Sequence, residues 1–261
     1  MLLSGFSAIA MSLTAASCSE ARPSAALEYH FSGLIDENAS AQFKAILASH
    51  PEDSITITID SPGGAAPDAM NIGDAILSHG NVHLVVNKFC HSACVQYIMP
   101  SAKTVDVMPL ASVAFHGSPS TLQLPSTAPL SVVREISSVS EREERFYTAR
   151  HINVKALRSL QRARRTFCRF EVAEKSRSDL NRYATASYFA ASVPSKDLLF
   201  EMGYKNVSGF WPEDLNEAKE AARHAGFNEK LSIVYVTAAD VGHVQPPRQL
   251  PECPKPIKRP T

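Results

Sequence analysis

The segment "SITITIDSPGGAAPDAMNIGDAILSHGNVHLVV", Ser54 to Val86, decides the fold. Ile55, Ile57 and Ile59 alternate with polar residues, the period-two pattern of a strand with one buried face. Pro67 opens the helical pattern that follows, Gly80 closes it, and Met70, Ile72, Ile76 and Leu77 supply its apolar side. A further strand, "VHLVV", comes next. Strand, helix and strand at this spacing make a crossover unit, which lays the two strands parallel in one sheet.

The same alternation continues on both sides. "ALEYHFSGLI" reads as a strand, and "NASAQFKAILASH" as a helix with Phe43, Ile46 and Leu47 at helical spacing. Downstream, "NKFCHSACVQYIMP" (Asn87 to Pro100) reads as a helix that begins near Cys90, and "TVDVM" and "SVAFH" as two more strands. After the Ser/Thr/Pro-rich loop "GSPSTLQLPSTAP", a charged helical region runs from Leu130 to about Arg165, with Val132, Ile136, Val139 and Phe146 on its apolar side. Its "EREER" and "RARR" clusters read as a solvated face, with docking on a neighbouring subunit as the alternative. Residues 166–200 read as helical and partly irregular. "WPEDLNEAKEAARHAGF" is a helix and "LSIVYV" a closing strand. The expected class is therefore α/β, with one domain over 27–236, a helical insertion at about 130–200 and a proline-rich tail over 237–261.

The 261 residues, 44% hydrophobic, suffice for one well-buried domain. The 26 basic residues balance the 26 acidic ones, so no global field argues for nucleic acid as a partner. "MLLSGFSAIAMSLTAASCSEA" is a short apolar run ending in small residues, the pattern of an export signal over about 1–22. Cys18 after "TAAS" loosely resembles a lipoprotein processing site, which would add membrane association through a lipid anchor. The chain is expected to be periplasmic or secreted. Without the signal, Cys90, Cys94, Cys168 and Cys253 admit three pairings, of which Cys168–Cys253 would tie down the tail.

Chemistry concentrates in "IDSPGG", "CHSAC" and "VAFHG". The glycines of the first let backbone N–H groups point into open space. In the second, Cys90, His91 and Cys94 make at most three metal ligands with no fourth at finger spacing, so no metal and no organic cofactor is expected. A disulfide between positions four apart on one helix is tight, so the two thiols are expected to pack or to pair elsewhere. Ser92 at a first helical turn would either cap the helix or serve as a nucleophile beside unpaired N–H groups.

The order "FSGLID…ASAQFKAIL…ITIDSPGG…CHSACVQYIMPSAK…VAFHG" resembles the proteolytic subunit of Clp protease and its relatives in the Clp/crotonase superfamily, over about Leu27 to Pro119 and loosely through Leu130 to Arg150. The resemblance implies a spiral of β-β-α units with a protruding handle helix. It also implies Ser92 as nucleophile, His116 as general base, and an oxyanion hole from the amides of Gly64 (or Gly63) and Ala93. Homo-oligomers and peptide or unfolded protein substrates follow from the same likeness. The family's aspartate has no counterpart just before Phe210. Asn206 stands nearest as a third member, while Asp197, Glu201 and Asp214 are more remote. Three functions follow as expectations: an exported, ATP-independent serine peptidase-like hydrolase; a catalytically degenerate binding or scaffold protein on the same fold; and a crotonase-type acyl-CoA enzyme.

Overall fold

Strand β2 (Ile55–Ser61) is the spine of the molecule, and its alternation appears as expected, with Ile55, Ile57, Ile59 and Ser61 buried between half-buried neighbours. The computed structural model describes residues 27–122, 124, 128–162, 191–227 and 233–241. On one side β2 pairs in parallel with β1 (Leu27–Ser32), and on the other with β3 (Val82–His91). Helices α1 (Glu37–Ser49) and α2 (Ala66–His79) make the crossovers. Asp36 caps α1 through its carboxylate, and the left-handed Gly80 ends α2.

The sheet continues through β4 (Thr104–Val107) to β7 (Val207–Gly209), in the order β1-β2-β3-β4-β7, with β5 (Ser112–Ala114) branching from the far end of β3. Every pairing in it is parallel. The chain is thus an α/β protein with a largely parallel central sheet. Strands β6 (Ala191–Pro194) and β8 (Ile233–Val236) form a separate parallel ladder, joined to the segment after β5 by an antiparallel bridge between Phe115 and Ser192. The expected closing strand therefore exists over Ile233–Val236 but closes this small ladder instead of the main sheet. Around it lie α5 (Lys196–Glu201) and α6 (Leu215–His224), and the Asp214 carboxylate caps α6.

Strand β3 runs well past the expected "VHLVV". The reason is Asp60, whose carboxylate accepts from the Lys88 amide at 2.6 Å and from Asn87 Nδ2 at 2.9 Å. These bonds carry a bulge in which the register jumps from Ile59↔Val86 to Ser61↔Cys90. Beyond the bulge β3 exchanges β4 for β5, pairing Phe89, Cys90 and His91 with Ser112, Val113 and Ala114. Cys90 and His91 thus stand on a strand, not on the helix expected from the sequence.

The charged helical region divides into α3 (Leu130–Ala149) and α4 (Val154–Arg162). Its charges are not simply a solvated face. Glu143 is 1% exposed, and Arg150, 7% exposed, bonds to Ser101 Oγ at 2.6 Å and Asp74 at 2.9 Å while its guanidinium covers the Phe146 ring. Arg142 also reaches Asn71 and Asp74, so α3 is fastened to α2. The signal segment, the Cys168–Cys253 pairing, residues 163–190 and the proline-rich tail beyond Val241 lie outside the described residues.

Candidate functional site

At the end of β3 the chain turns at Ser92, whose φ of 55° is left-handed, and enters a π-helical turn at Cys94–Ile98. A non-glycine residue there is held by its surroundings, and such strain clusters at functional sites. Three contacts hold it. The Ser92 amide donates to Ala114 O at 3.0 Å, tying the turn to β5. The "SPGG" turn presses on it so closely that a Cβ on Gly63, itself at φ +94°, would lie 2.6 Å from Ser92 Cβ and 2.8 Å from Ala93 N. A disulfide joins Cys90 to Cys94 across the turn, with both residues fully buried.

The disulfide corrects the expectation that these thiols pack or pair elsewhere. On one helix the pair would be poorly placed, but with Cys90 at a strand end and Cys94 beyond a reversal at Ser92 the Cα atoms stand 5.3 Å apart, within bridging range. As a disulfide neither sulfur is a thiolate ligand or nucleophile.

Ser92 is 8% exposed and does not cap its helix. His116 follows β5 by two residues, so it stands beside the Ser92 turn at the same end of the sheet. Gln96, one turn on from Ser92, links the two: its amide N–H donates to Ser92 O at 3.0 Å and its side-chain Nε2 to His116 O at 2.9 Å. The His116 ring places Nδ1 2.8 Å from Gly117 O. Among the described residues no hydrogen bond joins Ser92 Oγ to His116, a contact that in ligand-free sites commonly forms only with substrate.

Of the amides expected to form an oxyanion hole, that of Gly63 is engaged, donating to Ser61 Oγ at 3.1 Å. The Gly64 and Ala93 amides enter no backbone hydrogen bond among the described residues, which leaves them as the candidate donors. Asn206 is not brought to the histidine. Its Nδ2 donates to Met99 O at 3.0 Å and Ala102 O at 2.8 Å, stapling the end of the helical turn to β7. It is a structural residue, and the place of a third triad member is not filled by it.

His91 is a neighbour and not a base. Its Nε2 meets Ser112 Oγ at 2.8 Å and its ring lies 4.4 Å from that of Phe227. Burial, with a smaller contribution from nearby His116, lowers its pKa from 6.5 to about 3 against the opposing hydrogen bond at Ser112. The folded state keeps this imidazole neutral while the unfolded chain protonates it. Its contribution to stability is therefore complete above about pH 6.5 and is lost as pH falls toward 3, by up to roughly 1.4 kcal/mol per pH unit. Urea unfolding at pH 7, 5 and 4 is expected to show a shallower pH slope in His91→Gln than in the wild-type chain. Equal slopes would mean that His91 does not titrate between the two states.

Sequence reasoning missed the polar chain behind the site. Glu143 accepts from the Tyr97 hydroxyl at 2.5 Å, the Tyr147 hydroxyl at 3.2 Å, Ser118 Oγ at 3.2 Å and the Ser120 amide at 3.2 Å. Gln161 on α4 bonds to Gln96 Oε1 at 3.2 Å. Neither carried a local signal: Gln96 is a lone polar residue in an apolar run, and Glu143 is one of five charges in succession. A cleft of about 810 Å³, lined by Trp211, Tyr235, Asp197, Glu213 and Glu217 among others, lies apart from Ser92 and His116. No family model matches the chain, and no curated protein matches it.

Proposed function

We propose that the chain is an exported, ATP-independent serine hydrolase of the Clp/crotonase type that cleaves peptide bonds through a Ser92–His116 acyl-enzyme. The observation that carries the reading is the left-handed Ser92 at a strand-to-helix turn, pressed against Gly63 and one strand away from His116. A serine there sits on a sharp turn at a helix start, the placement that exposes a nucleophile to reactant and to the positive end of the turn. A spiral domain, a handle built from α3 and assembly into homo-oligomers belong to the same reading.

In the reaction, Ser92 Oγ attacks the scissile carbonyl carbon and His116 Nε2 takes its proton. The oxyanion forms toward the Gly64 and Ala93 amides, where a well-aimed donor is worth about 3 kcal/mol. The C–N bond then breaks, the leaving amine takes the proton from His116, and water hydrolyses the Ser92 ester by the same steps. The buried Cys90–Cys94 bond supports export, since disulfides persist in oxidising compartments.

A second reading, a catalytically degenerate scaffold protein, draws on the absence of a Ser92–His116 hydrogen bond among the described residues and on the separate aromatic and acidic cleft. One experiment separates the two. A fluorophosphonate probe on the purified protein is expected to label Ser92, mapped by mass spectrometry, and to label neither Ser92→Ala nor, at a comparable rate, His116→Ala. A well-folded wild-type chain left unmodified at Ser92, while a control serine protease reacts, would favour the scaffold.

A further inference from the structure

We infer that the Cys90–Cys94 bond is a redox gate on this site. With both thiols reduced the chain folds but misplaces Ser92; oxidation during folding sets the serine, and burial then protects the bond. The inference rests on the Ser92–His116 reading and deepens it by naming what regulates the site. Ser92 and Ala93, the nucleophile and one candidate oxyanion donor, both lie inside the short loop that the bond closes between residues four apart.

The two ends of that loop are anchored without the bond. Cys90 pairs with Ser61 on β2 and Val113 on β5, and His91 with Ala114. Beyond Cys94 the helical turn is held by the Tyr204 hydroxyl, which donates to Val95 O at 3.2 Å, and by Asn206 at Met99 O. The fold around the site therefore does not depend on the bond. Unbonded sulfurs cannot sit as close as bonded ones, and both cysteines are fully buried, so reduction must part the two side chains inside a packed interior. With both ends anchored, the shift falls on Ser92 and Ala93. Ser92 is poorly able to keep its backbone through such a shift, because its φ of 55° is left-handed and persists only while its surroundings over-determine it. Its amide bond to Ala114 O holds the strand side of the turn, and the disulfide is the covalent tie from that side to the helical one.

The bond forms by exchange on the chain before it closes. One of the two thiolates attacks the sulfur–sulfur bond of a disulfide oxidant and releases one thiol; the other then attacks the mixed disulfide and releases the second. The protein loses two electrons and two protons, which leave on the oxidant's two thiols. In the folded chain neither cysteine is exposed to a reductant. The gate thus opens once, on passage from a thiol-reducing to an oxidising compartment, and a hydrolase made in the first stays silent until it reaches the second.

The full chain, unfolded and reduced, is refolded in parallel with dithiothreitol and with glutathione disulfide, and both Ser92 labelling by the fluorophosphonate and Cys90–Cys94 bridging are mapped by mass spectrometry. The reduced, folded chain is expected to label at least about tenfold more slowly, as a strained left-handed residue is released, and labelling of mixtures to follow the bridged fraction. Dithiothreitol added to the folded, bridged chain is expected to leave bond and labelling unchanged; loss of the bond there would overturn the protection by burial. Cα and Cβ shifts of ¹³C-serine-labelled protein, assigned with Ser92→Ala, report the Ser92 backbone without any reaction. A reduced, folded chain that labels as fast as the bridged one, or keeps its Ser92 shifts, would overturn the gate; with the bridged chain labelled, the hydrolase reading stands. Cys90→Ala with Cys94→Ala replaces the reduced chain should that not refold, and a wild-type labelling rate or wild-type Ser92 shifts in this variant would overturn the gate equally. A bridged chain unlabelled at Ser92 whose Ser92 shifts move on reduction would overturn the hydrolase reading and uphold the bond's hold on the turn.

Discussion

Gly63→Ala is expected to lower the free energy of unfolding by about 2 to 6 kcal/mol and to stop labelling of Ser92. Two separate effects add. At φ +94° an alanine is in backbone space that L-residues rarely adopt, at a cost of about 1 to 3 kcal/mol. The new methyl would also lie 2.6 Å from Ser92 Cβ, 2.7 Å from His91 O and 2.8 Å from Ala93 N, far inside contact distance. None of these neighbours is the tip of a flexible side chain. All belong to the turn that the Cys90–Cys94 bond and the Ser92 amide bond already hold, so relief would come by pushing Ser92 away from β5. Gly80→Ala is the control, because at φ +74° it has comparable backbone strain but nothing within 4 Å of the added carbon. Denaturant unfolding of the two variants should therefore differ by the overpacking contribution, about 1 to 3 kcal/mol. Equal losses would mean that the two turns do not press on one another.

Glu143→Ala is expected to cost roughly 3 to 5 kcal/mol, large for a residue in so charged a run. The carboxylate accepts two tyrosine hydroxyls, one serine hydroxyl and one amide, and truncation leaves all four donors without it in the interior. Burial first, and Glu143 among the further causes, raises the pKa of Tyr97 and Tyr147, so both stay protonated and able to donate. Glu143→Gln keeps the shape and one acceptor oxygen and should lose less. Denaturant midpoints order the three proteins as wild type, Gln variant and Ala variant. An alanine variant within about 0.5 kcal/mol of the wild type would show the network to be replaceable by water. Because Ser118 hangs from the same carboxylate, labelling of Ser92 in the folded Gln variant should also slow.

Both predictions fall on residues of unequal visibility. Gly63 was visible in "IDSPGG" as one of two glycines that free backbone N–H groups after a strand, whereas its close approach to Ser92 came from the tertiary structure. Glu143 was hidden among four charged neighbours, since nothing in "EREER" distinguishes the position that turns inward. Ser92 and His116 were singled out from the sequence through the likeness alone, while their place at one end of the sheet came from the pairing of β3 with β5. Gln96 was not legible, because a lone glutamine in an apolar run carries no signal until its partners on α4 and at His116 are in place. Asn206 was chosen by its position ahead of Phe210, but tertiary packing hands its amide to Met99 and Ala102.

What the sequence by itself determined is the class of the fold: period-two isoleucines and valines, Pro-opened and Gly-closed helices, and their alternation. These are local effects, set by side-chain direction and backbone freedom within a few residues. The tertiary structure decided the geometry around Ser92. Asp60 draws in the Asn87–Lys88 bulge and prolongs β3, and that prolongation puts Cys90 on a strand, Cys94 on a helix and a left-handed serine between them. A turn that follows a bulge held by a carboxylate 28 residues from it, and that is fixed by a glycine turn and a neighbouring strand, is a property of contacts between distant segments, and no local pattern encodes it.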